Sequence, residues 1–71
     1  MLEYAKERPF AALVPALVKM LDDSNSDVRV EAVSALGEIR DSAARSALRG
    51  ALNSKDAKVR ARAAEVLGER P

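Results

Sequence analysis

The 71-residue sequence has no cysteine, no histidine and no tryptophan, and only one tyrosine and one phenylalanine. Without cysteine there is no disulfide staple, no thiolate nucleophile and no thiolate zinc or iron–sulfur site. Without histidine, the commonest transition-metal ligand and the usual general base near neutral pH are both missing. The serines therefore have no imidazole to activate them. Asp22-Asp23 lacks the ligand spacing and the glycine of a calcium loop. Gly37, Gly50 and Gly68, the only glycines, form no phosphate-cradling cluster. The longest apolar run stops at Lys19, well short of the roughly 20 residues of a membrane span. No basic segment leads into an apolar signal region. These absences predict a cytoplasmic protein that is not an enzyme and needs no cofactor or metal.

What remains is lean. Apolar residues make up 48% of the chain, and alanine is the commonest of them. Alanine adds little buried area, so the hydrophobic drive falls to Leu, Val, Ile39, Met, Phe10 and Tyr4. A chain of this length buries only about 60% of the surface its unfolded form exposes. The net charge of +1 gives no global attraction to nucleic acid or to an anionic membrane. Its distribution is uneven, with five cationic against seven anionic side chains in residues 1–40 and seven against four in residues 41–71. Such a bipolar chain is open to head-to-tail association with its own copies, although surface charge alone binds weakly.

An internal repeat organises the chain. Val28-Arg29 returns as Val59-Arg60, and Leu36-Gly37-Glu38 returns as Leu67-Gly68-Glu69, both 31 positions later. In the same register Ala12, Ala16, Leu17, Leu21 and Ala32 meet Ala43, Ala47, Leu48, Leu52 and Ala63. The predicted units are residues 10–40 and 41–71, preceded by residues 1–9 as an N-terminal capping helix or the remnant of another repeat.

Each unit reads as two helices, over about 10–21 and 26–39 in the first and about 42–52 and 57–69 in the second. In the second unit Ala44, Ala47, Leu48, Ala51 and Leu52 hold the i, i+3, i+4, i+7, i+8 spacing of an amphipathic helix. Their first-unit counterparts are Leu13, Ala16, Leu17, Met20 and Leu21. Asn25 and Asp56, at equivalent positions, are predicted N-caps of the second helices. Val28, Ala32, Ala35, Leu36 and Ile39 form one inward face, and Val59, Ala63, Val66 and Leu67 the other. Short loops make the helices of each unit antiparallel, so the predicted fold is all-α, two helical hairpins stacked as an α-solenoid. Pro15 fits only near the start of its helix. Gly50, within a helix, has no evident purpose and costs about 1 kcal/mol relative to alanine.

Val14-Pro15-Ala16-Leu17, Leu21, Asp23, Val28-Arg29, Ala32, Leu36-Gly37 and Ile39 together resemble the HEAT-repeat family. The 31-residue unit is more closely similar to the short HEAT-like repeats of phycobilisome (bilin) lyases. The resemblance implies that a loop acid and the Val-Arg arginine pair along the stack, which points to Asp23 with Arg29 or Arg60. The second unit departs from the pattern, with Ser54 at the position of the loop acid and Arg70 at that of Ile39.

Three surfaces are candidates for function. The second helices carry Asp27, Val30, Glu31, Ser34 and Glu38, and Lys58, Ala61, Arg62, Glu65 and Glu69, on a single face. In stacked helical repeats this is the face that holds partners, and its small residues leave room for a partner's backbone. Phe10, Val14 and Val18 form an apolar stripe on the first helix where the second unit has Arg45 and Arg49. It is covered by Leu2, Tyr4 and Ala5 of a short N-terminal helix, or else serves self-association as a homodimer. Arg45, Arg49, Lys55, Lys58, Arg60 and Arg62 make a basic half, but no aromatic side chain lies near for base stacking and Asp56 and Glu65 dilute it. The expected role is a scaffold or adaptor that binds another protein. The alternatives are an accessory of bilin-lyase chemistry, implied by the resemblance alone, or weak binding of phosphate backbones.

Overall fold

The computed structural model describes residues 12–69. Four helices follow one another: α1 (Val14–Met20), α2 (Ser26–Glu38), α3 (Ser42–Ala51) and α4 (Ala57–Glu69). The fold is the all-helical stack of two hairpins, and no strand occurs among the described residues. The predicted N-terminal capping helix, and the start of the first helix at residue 10, lie outside the described residues.

Local chemistry sets the helix ends. Pro15 sits in the first turn of α1, where its missing amide would have had no intrahelical partner in any case. Both first helices close with the same tight turns. Asp22 and Asp23 amides donate to the Lys19 and Met20 carbonyls at 3.1 Å, and Asn53 and Ser54 amides donate to those of Gly50 and Ala51 at 3.0 and 3.1 Å. Asn25 and Asp56 cap α2 and α4, each accepting through Oδ1 from the amide two residues on, at 2.8 Å. Asp41 caps α3 in the same way, from the Ala43 amide at 2.8 Å, a signal that an acid before Ser-Ala-Ala carried in the sequence.

The core joins both hairpins. Val14, Val33, Leu36, Ile39, Ala44, Leu48, Ala51, Val59 and Ala63 form one buried cluster, with Leu17, Leu21, Val30, Ala47, Val66 and Leu67 packed against it. Leu36, Leu48, Val33 and Val59 are the largest fully buried side chains, each contributing about 1.5–3 kcal/mol. Helix α2 is central, since it packs against α1, α3 and, most extensively, α4.

Three apolar faces differ from the sequence reading. On α1 the buried residue is Val14, with Leu17 and Leu21 half-buried, while Leu13 is 50% and Met20 36% exposed. A helix that is apolar nearly all round offers only Lys19 to set its rotation, so spacing alone grouped exposed Leu13 and Met20 with Leu17 and Leu21, which do pack against the core. Leu13 also precedes the helix as its N-cap residue. On α3 Ala44, Leu48 and Ala51 are buried as expected, but Leu52 is 38% exposed. On α2 the structure adds Val33, wholly buried beside an equally buried Ala32. Neighbouring residues point about 100° apart around a helix, so their joint burial records neighbours on two sides.

Candidate functional site

Stacking sets α2 and α4 side by side, and the residues expected on the second-helix face converge there. Asp27, Val30 and Glu31 from α2, with Lys58, Ala61, Arg62 and Glu65 from α4, line an open groove of about 600 Å³. Ser34 joins the two helices beside it by accepting from Arg62 Nη1 at 2.6 Å, while Glu38, also expected on this face, does not line the groove. Arg62 Nε also meets Glu65 Oε1 at 3.2 Å, one turn along α4. These contacts hold Arg62 in place, while its side chain remains 41% exposed.

The groove is electrically two-sided. Its α2 wall carries Asp27 and Glu31, and its α4 wall carries Lys58 and Arg62 together with Glu65, the partner of Arg62; Asp27/Glu31 and Lys58/Arg62 each hold the i, i+4 spacing that aligns side chains on one helix face. The floor is Val30 and Ala61, small enough for a backbone to approach closely.

A second cleft, of about 930 Å³, opens along the loop edge. Val18, Leu21, Ala47, Gly50, Ala51 and Val59 make its apolar part, with polar groups from the loops around them. A β-carbon at Gly50 would meet nothing within 4 Å, so this glycine answers no packing demand and leaves the cleft wider.

Within that cleft an ion pair is reinforced by a hydroxyl. Arg29 Nη2 and Nε donate to Asp56 Oδ2 at 2.7 and 3.1 Å, and the Ser26 hydroxyl donates to the same oxygen at 2.7 Å. The Ser26 hydroxyl, then Arg29, then the Lys58 amide hold the Asp56 carboxyl well below the usual carboxylate range. Asp56 thus caps its own helix with one oxygen and fastens the preceding hairpin with the other.

The arginine–acid pairing implied by the family resemblance is present, but its acid is Asp56 rather than Asp23. Asp23 offers Arg29 only its backbone carbonyl, at 2.6 Å, and Ser54 offers Arg60 the same at 2.7 Å. Side chains at these two positions brace the loop instead. Asp23 Oδ1 accepts from the Asn25 amide at 2.8 Å, and Ser54 Oγ from the Asp56 amide at 3.1 Å. A serine therefore serves where the family pattern has an acid. Sequence reasoning missed the Ser26–Arg29–Asp56 cluster because it matched equivalent loop positions, whereas the contact joins a helix of one repeat to the cap of the next.

The apolar stripe on the first helix is divided. Val14 belongs to the core at 6% exposure and Val18 is 40% exposed, while Phe10 lies outside the described residues. Among the described residues no group of three acidic, histidine or cysteine side chains is placed to hold a metal, and no helix is long and apolar enough to cross a membrane.

Paired antiparallel helices stacked on a repeat of 31 residues define a helical solenoid. The model of the family described as HEAT repeats matches residues 2–70, nearly the whole chain, and the protein belongs to that family. No curated protein and no solved structure matches it. HEAT repeats commonly mediate protein–protein interaction and are generally not enzymes.

Proposed function

We propose that this protein is a non-catalytic protein-binding module, a scaffold or adaptor that receives a segment of another protein in the α2–α4 groove. The observation that carries this reading is the convergence of Asp27, Val30, Glu31, Lys58, Ala61, Arg62 and Glu65 on one open groove, acidic on its α2 wall and of mixed charge, with Lys58 and Arg62, on its α4 wall. A groove of that kind favours a partner whose own charges are arranged in two signs, and it fixes register more than it adds affinity. Ser34 supports the groove through its bond to Arg62.

The test is affinity capture with the wild type, with Val30→Glu/Ala61→Arg, and with Arg45→Ala, at an exposed position of α3, as the control. Both variants are first checked against the wild type for native helicity by circular dichroism. A species retained by the wild type and the control but lost with the groove variant, and then bound directly as purified protein, supports the reading. Equal retention by all three overturns it.

A further inference from the structure

The α2–α4 groove is short of apolar surface. Val30 and Ala61 are small, and exposed ion pairs of the kind its walls can form add little affinity. Tight binding rests on a bulky apolar group seated in a recess. The loop-edge cleft beside the groove has that recess. Val18, 40% exposed, opens onto it with Leu21, Ala47 and the bare backbone of Gly50. Its inner polar groups are spent on one another, Ser26 and Arg29 on Asp56, and Arg29 also on the Asp23 carbonyl. They leave no unpaired group for a ligand to satisfy, so the floor suits an apolar side chain.

The two recesses share a residue and a charge polarity. Lys58 lines both. On the first hairpin's side stand Asp27 and Glu31 at the groove and Asp22 and Asp23 at the cleft. On the second hairpin's side stand Lys58 and Arg62 at the groove and Lys55 with Lys58 at the cleft. The charges that break this division are already matched, since Arg29 pairs with Asp56 and Glu65 with Arg62. Asp22, Asp27, Glu31, Lys55 and Lys58 are exposed and form no ion pair among the described residues. An acidic edge thus faces a basic edge along the seam between the hairpins, from the helix face round to the loops.

We infer that the loop-edge cleft is the anchoring subsite for the segment bound in the α2–α4 groove, and that it takes a leucine- or phenylalanine-sized side chain. That side chain comes from an extended stretch with acidic residues on its Lys55–Lys58 flank and basic residues on its Asp22–Asp27 flank. The stretch is extended because the seam turns from the α2–α4 face onto the loop edge, a path no straight helix follows. Gly50 keeps the subsite open. A β-carbon there would meet nothing within 4 Å, so the glycine weakens its helix without any packing gain. The inference rests on the groove reading and adds to it the source of affinity and the class of segment.

The experiment selects short random peptides, displayed on phage, on the full chain. Enriched peptides are synthesised, labelled and measured by fluorescence anisotropy. They are expected to combine both signs of charge with a leucine or an aromatic residue. Gly50→Val fills the cleft and is expected to weaken them about tenfold or more, with a melting midpoint equal to wild type or higher. Val18→Glu, at an exposed position, is expected to weaken them as well. Replacing the peptide's apolar residue by alanine costs the same factor on wild type and nothing further on Gly50→Val. The groove variant Val30→Glu/Ala61→Arg weakens the same peptides. Peptides sensitive to the groove variant but indifferent to both cleft variants would overturn the inference and leave the groove reading standing. Peptides sensitive to the cleft variants alone would overturn both, as would a selection that enriches nothing.

Discussion

Helices α2 and α4 share Val-Arg near the start and Leu-Gly-Glu at the end, yet they live in different surroundings. Helix α2 packs against three neighbours, while the main packing of α4 is on α2 and α3. The consequences fall residue by residue. Leu36 is wholly buried and Leu67 half-buried, Val33 is inside and Ala64 outside, Gly37 is filled by Val66 and Gly68 is open. Arg29 has a carboxylate and Arg60 a backbone carbonyl. The same motif thus carries different energetic weight according to its place in the stack, which is what nearest-neighbour stability in repeat proteins predicts.

The largest expected effect separates the two leucines. Leu36→Ala should cost about 2–5 kcal/mol in urea unfolding, a large share of a small domain's stability, and Leu67→Ala clearly less because it already reaches solvent. Equal losses would erase the distinction between the helices. The glycines should then differ in sign. Gly37→Ala forces a β-carbon into Val66 and should destabilise by about 1–3 kcal/mol, whereas Gly68→Ala should be neutral or stabilising by up to about 1 kcal/mol. Gly50→Ala, with open space around it, should also raise stability by about 0.5–1 kcal/mol.

A pH series sharpens the comparison at Asp56. Its carboxyl titrates lower in the folded chain than in the unfolded one, so its contribution is fully present above the unfolded value of about 4 and is lost as the pH falls toward the folded value. Asp56→Asn keeps the cap but not the charge. Its unfolding midpoint should therefore be lower than wild type at pH 7, and the gap should close as the pH falls below about 4. A constant gap across that range would remove the charge from the account. The smallest effect is expected for Arg60→Ala in the 71-residue chain, within about 0.5 kcal/mol as at ordinary surface sites, against a measurable loss for Arg29→Ala.

Much of this architecture was readable from residues alone, and the reason is the duplication. Two copies of one pattern make each helix a check on the other, and polar turns at Asn25 and Asp56 marked where the second helices begin. The groove was legible for the same cause, since Asp27, Glu31, Lys58 and Arg62 occupy equivalent places on neighbouring helices. What could not be read was rotation and partnership. Helix α1 offers apolar residues all round, so nothing in its spacing distinguished Val14 from Leu13. The bond from Arg29 to Asp56 crosses from one repeat to the next, and no alignment of equivalent positions exposes a contact between non-equivalent ones. Val33 and Ala64 differ in size as their burial requires, a difference that takes its meaning only once the neighbours are known.

Val66 seated over Gly37 holds the two hairpins in register, and a double-mutant cycle at these positions reads that contact. Gly37→Ala, Val66→Ala and the double variant would be compared with the wild type by urea unfolding. Val66→Ala is expected to recover part of the stability lost in Gly37→Ala, with a coupling of about 1 kcal/mol or more, because shortening the valine makes room for the new methyl group. Strictly additive losses would show that the two side chains do not meet, and would contradict it.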